Sequence, residues 1–159
     1  MSSEKDTNQT TVNDLEFWLK FMFEHEGFNF SDRKIKTSDQ EVWGLEVIEE
    51  KQVFAFFIIN DTDPEEIFLE MRSVLGKVPK GNLLPFYRKC LELNHGFSRG
   101  SITLNEAEVW FFQYQDIETF SPEAFVQMFI SHISDTKELY ETLSDEFEIQ
   151  EIVDPRSIK

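Results

Sequence analysis

Few side chains in this 159-residue chain have the type and spacing to do chemistry: one cysteine, Cys90, and three histidines, His25, His95 and His132. A thiol nucleophile needs a base within hydrogen-bond reach and a third group to orient that base. Cys90 instead falls in the middle of an apolar helical stripe, where a buried, inert thiol is expected. The histidines lie on three different elements and have none of the short spacings of zinc ligands. Carboxylates are abundant, with 31 Asp and Glu, but runs such as "DTDPEE" and "SDEFEIQE" read as solvated faces. "DTDPEE" also lacks the glycine and closing glutamate of a calcium loop. The six glycines are scattered at ends and turns and form no phosphate cradle. The sequence therefore points to no catalytic, metal or cofactor residue. A hydrolase built on Cys90 or His132 is the only enzymatic alternative it leaves.

The elements that would carry a site are easier to read. Residues 1–10 are polar and are expected to form a disordered tail. From Thr11, which has capping-box spacing to Asp14, Val12, Leu15, Leu19, Met22 and Phe23 recur at helical intervals until Gly27. Phe17, Trp18 and Phe21 add apolar bulk outside that stripe, so this helix should touch more than one surface. After a charged loop around "SDRKIKTSDQ", the segments "EVWGLEVIE" and "QVFAFFIIN" read as a hairpin turning at Glu50 and Lys51. Residues 64–75 fit both a helix, through Ile67, Met71, Val74 and Leu75, and a strand, through Ile67, Leu69 and Met71, and propensity alone favours the helix.

A further helix follows, with Asn82 as its cap, Pro85 in its first turn, and Leu83, Phe86, Tyr87, Cys90 and Leu91 forming its stripe. Asn94 and Gly96 are its stop signals. "SITLNEAEVWFFQYQ" forms a second hairpin turning near Asn105 and Glu106. Ser121 and Pro122 then open a long helix that buries Phe125, Phe129, Ile133, Tyr140 and Leu143. A single domain over residues 11–147 and an acidic C-terminal tail over 148–159 complete the expected organisation.

Two strands carry bulky apolar residues on both faces. In the first hairpin Val53, Ala55, Phe57 and Ile59 oppose Phe54, Phe56 and Ile58, which marks a central strand covered on both sides. In the second, Trp110, Phe112 and Tyr114 oppose Val109 and Phe111. Burying these aromatics would remove several hundred Å² of apolar area from water, at roughly 25 cal/mol per Å². Two arrangements would provide the cover. Either the first and last helices shelter one face and the middle helix the other, or one face is closed by a second copy or another polypeptide.

Composition narrows the partners. Fifteen basic residues against 31 acidic ones give a net charge of −16, which repels phosphate backbones and anionic membrane surfaces, so neither nucleic acid nor membrane is an expected partner. The same acidity suits a basic or aggregation-prone polypeptide, and it also serves solubility. Seventeen phenylalanines supply enough apolar mass for a packed core. A lone cysteine, the absence of a signal-like N-terminus and the absence of any run near about 18 apolar residues place the chain in the cytoplasm as an expectation.

The stretch "VPKGNLLPFYRKCLELNHGFSRGSITLNEAEVWFFQYQDIETFSPEAFVQMFISHI" resembles the shared pattern of type III secretion chaperones and the related YbjN-like bacterial proteins. The resemblance rests on a helix ending at Leu91 to Asn94, the strand Ser101 to Leu104 with its tip at Asn105, the apolar strand Val109 to Phe112, and Ser121 to Glu123 opening a long helix. "IFLEMRSVLGKVP" is similar to the family's third strand, which favours a strand over residues 64–75.

The expected fold is therefore α+β, an antiparallel five-stranded sheet with three helices in the order α-β-β-β-α-β-β-α. The resemblance implies a small acidic homodimer without enzymatic activity. Its middle helix would help form the dimer interface, and its sheet and first helix would offer grooves to an extended client. Phe86, Tyr87, Trp110, Phe112 and Tyr114 are the candidate dimer residues. Trp18, Trp43, Leu45, Phe54 and Phe56 are the candidate client groove. The function expected is a protein-binding module that masks apolar segments of a polypeptide client, the alternative being a YbjN-like regulatory or structural protein with no unfolded client.

Overall fold

The computed structural model describes residues 2–49, 52–62, 65–97, 100–116 and 122–150, with side chains described throughout these except at 2–12, 48–49, 52–53, 61–62, 65–66, 115–116 and 122–126. In chain order the elements are α1 (Ser2–His25), β1 (Asn29–Lys36), β2 (Gln40–Glu49), β3 (Gln52–Thr62), β4 (Glu65–Lys77), α2 (Leu83–Asn94), β5 (Gly100–Asn105), β6 (Glu108–Asp116) and α3 (Pro122–Glu146). Among the described residues the fold is α+β, three helices on one six-stranded antiparallel sheet ordered β1-β2-β3-β4-β6-β5.

The sixth strand corrects the expected five. β1 occupies the segment read as a charged loop, and its side chains are almost all exposed. Among the described residues it is an edge strand that pairs only with β2, from Asn29↔Ile48 to Lys36↔Glu41. Its Arg, Lys and Asp content suits an edge, where charge discourages pairing with a further strand. Residues 65–77 are strand, in agreement with the resemblance. Ile67, Leu69, Met71 and Ser73 all face one side and are buried, as the period of two requires. A bulge between Val74 and Gly76 then shifts the register against β6.

Both termini depart from the expected tails. α1 begins at Ser2, so residues 2–10 extend the helix backward, where adding a turn to a docked helix costs far less than nucleating one. At the other end Ile149 is buried in the core and Lys77 N donates to the Gln150 carbonyl at 2.9 Å. Residues 148–150 therefore belong to the packed domain, because an isoleucine placed against β4 gains more from burial than from hydration. Residues 151–159 and the expected cap Ser121 lie outside the described residues, as do the turn at Glu50 and Lys51 and the side chain of Phe125. Asn82 stands at the N-cap of α2, but in left-handed geometry and with no side-chain capping bond.

The helices settle how the sheet is covered. Leu15, Leu19 and Phe23 of α1 and Phe129 of α3 pack with Trp43, Leu45, Val47, Phe54, Phe56, Ile58, Leu69 and Met71. Phe86 and Cys90 of α2 and Leu139 and Leu143 of α3 pack with Leu75, Ile102, Val109 and Phe111. The register Val47↔Phe54, Phe54↔Ser73, Ser73↔Phe111 and Phe111↔Ile102 places these strand residues on one face. All three helices thus lie on the same side of the sheet. The arrangement with α2 on the opposite face does not occur, since the β4–β6–β5 end of the inner face carries Leu75, Val109, Phe111 and Ile102 and needs α2 as its cover.

Candidate interaction surfaces

The outer face follows from the same alternation. It carries Arg33 and Ile35 of β1, Val42, Gly44 and Glu46 of β2, Ala55, Phe57 and Ile59 of β3, Phe68, Glu70, Arg72 and Val74 of β4, and Trp110, Phe112 and Tyr114 of β6. No helix covers it among the described residues. Its apolar side chains are half-buried by their neighbours in the sheet, and Tyr114 is 55% exposed. Arg72 organises the centre. Its guanidinium carbon lies 5.1 Å from the Phe57 ring centroid and 5.5 Å from that of Phe112, and its Nε pairs with Glu70. A weakly hydrated guanidinium between two rings is suited to a surface that loses water on contact.

Beside it a hollow of about 320 Å³ opens over Gly44, where β2 lacks a side chain. Its floor is Gly44, Val42 and Phe57, and Ser31, Arg33 and Glu46 form a polar wall.

A second surface is the outer side of α1. Phe17, Trp18 and Phe21 pack on one another, with ring centroids 5.9 to 6.3 Å apart, and Phe21 stacks on His25. Phe17 is 63% and Trp18 40% exposed. The opposite side of α1 is fastened to the sheet. Lys20 bonds Asp32 at 2.8 Å and Glu16 at 3.3 Å, and Lys34 bonds Glu16 at 2.9 Å. The hydrogen bond to Asp32 raises the Lys20 pKa, and the reciprocal bond lowers that of Asp32. These cations are engaged within the fold, while Asp14 and Glu24 stand exposed on α1. A third surface is the outer stripe of α2, Leu84, Tyr87 and Leu91, with Leu84 80% and Leu91 71% exposed.

These surfaces redistribute the expected residues. Of the client-groove candidates, Trp18 is exposed, whereas Trp43, Leu45, Phe54 and Phe56 are core residues at 2% exposure or less and form no groove. They alternate onto the inner face, and α1 and α3 close over them. Of the dimer candidates, Phe86 is core, Tyr87 lies on the α2 stripe, and Trp110, Phe112 and Tyr114 stand together on the outer face. Sequence reading missed the Gly44 hollow and Arg72. Their signal was a glycine and an arginine inside otherwise apolar strands.

One buried polar cluster has the outline of a catalytic set. His132 Nε2 lies 2.6 Å from Ser73 Oγ and Nδ1 lies 2.6 Å from Gln113 Oε1. Thr136 Oγ1 donates to the His132 carbonyl at 2.7 Å and sits 3.2 Å from Ser73 Oγ. With Nδ1–H donating to Gln113, Nε2 accepts a hydrogen bond from the Ser73 hydroxyl. Ser73 and His132 are sealed, and the imidazole stacks on Phe111 with centroids 5.3 Å apart. Burial pushes the His132 pKa down to about 3, so the ring stays neutral at pH 7 and is a weak base. The cluster ties α3 to β4 and β6.

Cys90 is likewise buried, its thiol raised to about 11 by desolvation. A cleft of about 500 Å³ lies next to this cluster, with Met71, Phe97, Gln113, Met128 and Asp135 in its wall. Its Gln113 carbonyl is already committed to His132. Among the described residues no group of three metal-ligating side chains occurs, and no helix is long and apolar enough to cross a membrane.

No protein-family model matches the chain, and no curated protein matches it.

Proposed function

We propose that this protein is a non-enzymatic binding module in the manner of type III secretion chaperones, a homodimer that masks apolar segments of a polypeptide client. The observation that supports the reading is the one-sided sheet. Three helices share a face, and the outer face and the outer sides of α1 and α2 end in aromatic or leucine-rich surfaces among the described residues. A chain of this size rarely leaves so much apolar area without a partner.

The client site is the Phe17, Trp18 and Phe21 ladder of α1. Asp14 and Glu24 lie on the same helix, the chain carries a net charge of −16, and the nearby lysines are engaged internally, so the ladder suits an apolar segment interspersed with Lys or Arg. Rings on the ladder would take the apolar and cationic side chains, and the carboxylates would steer the approach. Masking of this kind needs no ATP.

The test uses reduced, unfolded lysozyme, a basic chain that aggregates on dilution. An equimolar amount of this protein should suppress its light scattering, and Trp18→Asp should abolish the suppression while leaving the fold intact. No suppression at tenfold excess would refute the client reading. It would favour the alternative, a YbjN-like regulatory or structural protein without an unfolded client. The burial of Trp43, Leu45, Phe54 and Phe56 supports that alternative, because it withdraws most of the expected groove.

A further inference from the structure

The outer face has an internal symmetry that the strand order and register bring out. Gly44 pairs with Phe57, Phe57 with Glu70, and Glu70 with Tyr114, so these four residues form one row across β2, β3, β4 and β6. In the order β1-β2-β3-β4-β6-β5 the midline falls between β3 and β4, with β2 and β6 equally far from it on either side. Each lies about 7 Å from that midline at a strand spacing of about 4.8 Å.

A two-fold axis running along the strands in front of this midline exchanges left and right and leaves height along the strand unchanged. It therefore brings β6 of one copy over β2 of the other, with Tyr114, the most exposed aromatic of the face, above the hollow at Gly44. The same operation sets Ile59 against the partner's Phe68, because those residues also share a row.

Shape and chemistry agree with this placement. The hollow has an apolar floor and a polar wall of Ser31, Arg33 and Glu46, which suits a ring tipped with a hydroxyl. The charges also allow like faces to meet. Across the middle of the face and its Lys77 end, Arg33, Arg72 and Lys77 balance Glu46, Glu70 and Glu108, and Asp61, Glu66 and Asp116 fall at outer-face register positions at the opposite end. Area is sufficient as well. Six strands at ~4.8 Å by about seven residues at ~3.4 Å give roughly 700 Å² per copy before side-chain relief, close to the ~800 Å² per partner of a stable interface. Aligned sheets pack about 10 Å apart and within about 30° of one another, so contact is best near the midline, where β2, β3, β4 and β6 lie.

We propose that the outer face is closed by a second copy of this chain, sheet against sheet about a two-fold axis along the strands, with each copy's Tyr114 seated over the partner's Gly44. The proposal rests on the homodimer half of the preceding reading and is independent of its client half. The interface is isologous, so hollow and knob each occur twice.

Sedimentation equilibrium of the full chain between 1 and 100 µM tests it. The native chain should be a dimer. Tyr114→Arg, at an exposed position, should raise the dimer dissociation constant at least tenfold with unchanged circular dichroism. Gly44→Leu should do the same by filling the hollow from its own side. A Cβ there would lie 3.1 Å from Phe57 Cε1, so circular dichroism of this variant must also be unchanged for its result to count. Tyr114→Phe should cost less than either, and Leu84→Glu on the α2 stripe should leave the dimer intact.

A dimer that tolerates Tyr114→Arg but dissociates with Leu84→Glu would overturn the sheet-to-sheet interface while leaving dimerisation standing. A monomer at 100 µM would overturn both, and the lysozyme assay with Trp18→Asp would still judge the client reading separately.

Discussion

Phe56 and Phe57 are neighbours in β3 with opposite fates. Phe56 points inward, is fully buried, and meets Phe23 of α1 and Phe129 of α3 at centroid distances of 5.7 and 5.1 Å. Phe57 points outward and has Arg72 and the Gly44 hollow for neighbours. The two faces of the sheet differ in the same way. One is a dry core sealed by three helices, and the other is an apolar layer with a few fixed charges and no cover among the described residues. Hydrophobicity by itself does not distinguish a core from an interface. What differs is the partner supplied by the rest of the chain.

The largest effect expected from this contrast is at the inner face. Phe56→Ala should cost about 3–5 kcal/mol in urea unfolding at any protein concentration, because it leaves a cavity between α1, α3 and the sheet. Next, Gly76→Ala should cost about 2–4 kcal/mol. Gly76 has φ +153°, and a Cβ there would collide with Ile149 and lie 2.8 Å from the Gln150 carbonyl oxygen. Loss of protection at Ile149 and Gln150 in hydrogen exchange would locate the damage.

The inner face should also respond to acid through His132. Its folded pKa, about 3, lies below the unfolded value of 6.5, so the unfolded chain takes up the proton first. The stability contributed by the neutral ring is complete above pH 6.5 and is lost as pH falls from there toward 3. From pH 6.5 to 4.5 the native protein should lose about 2–3 kcal/mol more than His132→Gln does, read from urea midpoints. Equal slopes would show that the ring is not held neutral by the core. The smallest effect belongs to the outer face. Phe57→Ala should cost under about 1.5 kcal/mol in dilute protein and more as concentration rises. A cost equal to that of Phe56→Ala and independent of concentration would mean that the chain itself covers the outer face, and the contrast would fail.

Much of this was legible in the sequence. The 3.6-residue period of Leu15, Leu19 and Phe23 marked α1, and the two-sided apolar pattern of β3 marked a central strand. Other features were hidden for identifiable reasons. β1 is polar because an edge strand with exposed side chains gains its place from backbone pairing with β2, which leaves no hydrophobic alternation to read. Residues 65–77 satisfied two periods at once, and only pairing with β3 on one side and β6 on the other decides for strand. Asn94 read as a helix stop and is the last residue of α2. What the sequence did not show is that its side chain also bonds both backbone groups of Ile102, at 2.5 and 3.1 Å, and joins the end of α2 to β5.

The candidate site was legible in part. Trp18 was marked by apolar bulk off the main stripe of its helix, and Trp110, Phe112 and Tyr114 by a second apolar face on their strand. Trp43, Leu45, Phe54 and Phe56 had the same chemistry and became core.

By itself the sequence determined which residues share a face, because side-chain direction follows from local backbone geometry, and it determined that both faces of the central strands are apolar. It did not determine which face the helices cover. That choice depends on where α1, α2 and α3 return after the strands between them, and on Leu75, Val109, Phe111 and Ile102 meeting from distant parts of the chain to need α2. Contacts so far apart in sequence leave no local period, so only the tertiary structure decided that one aromatic face became the core and the other an open surface.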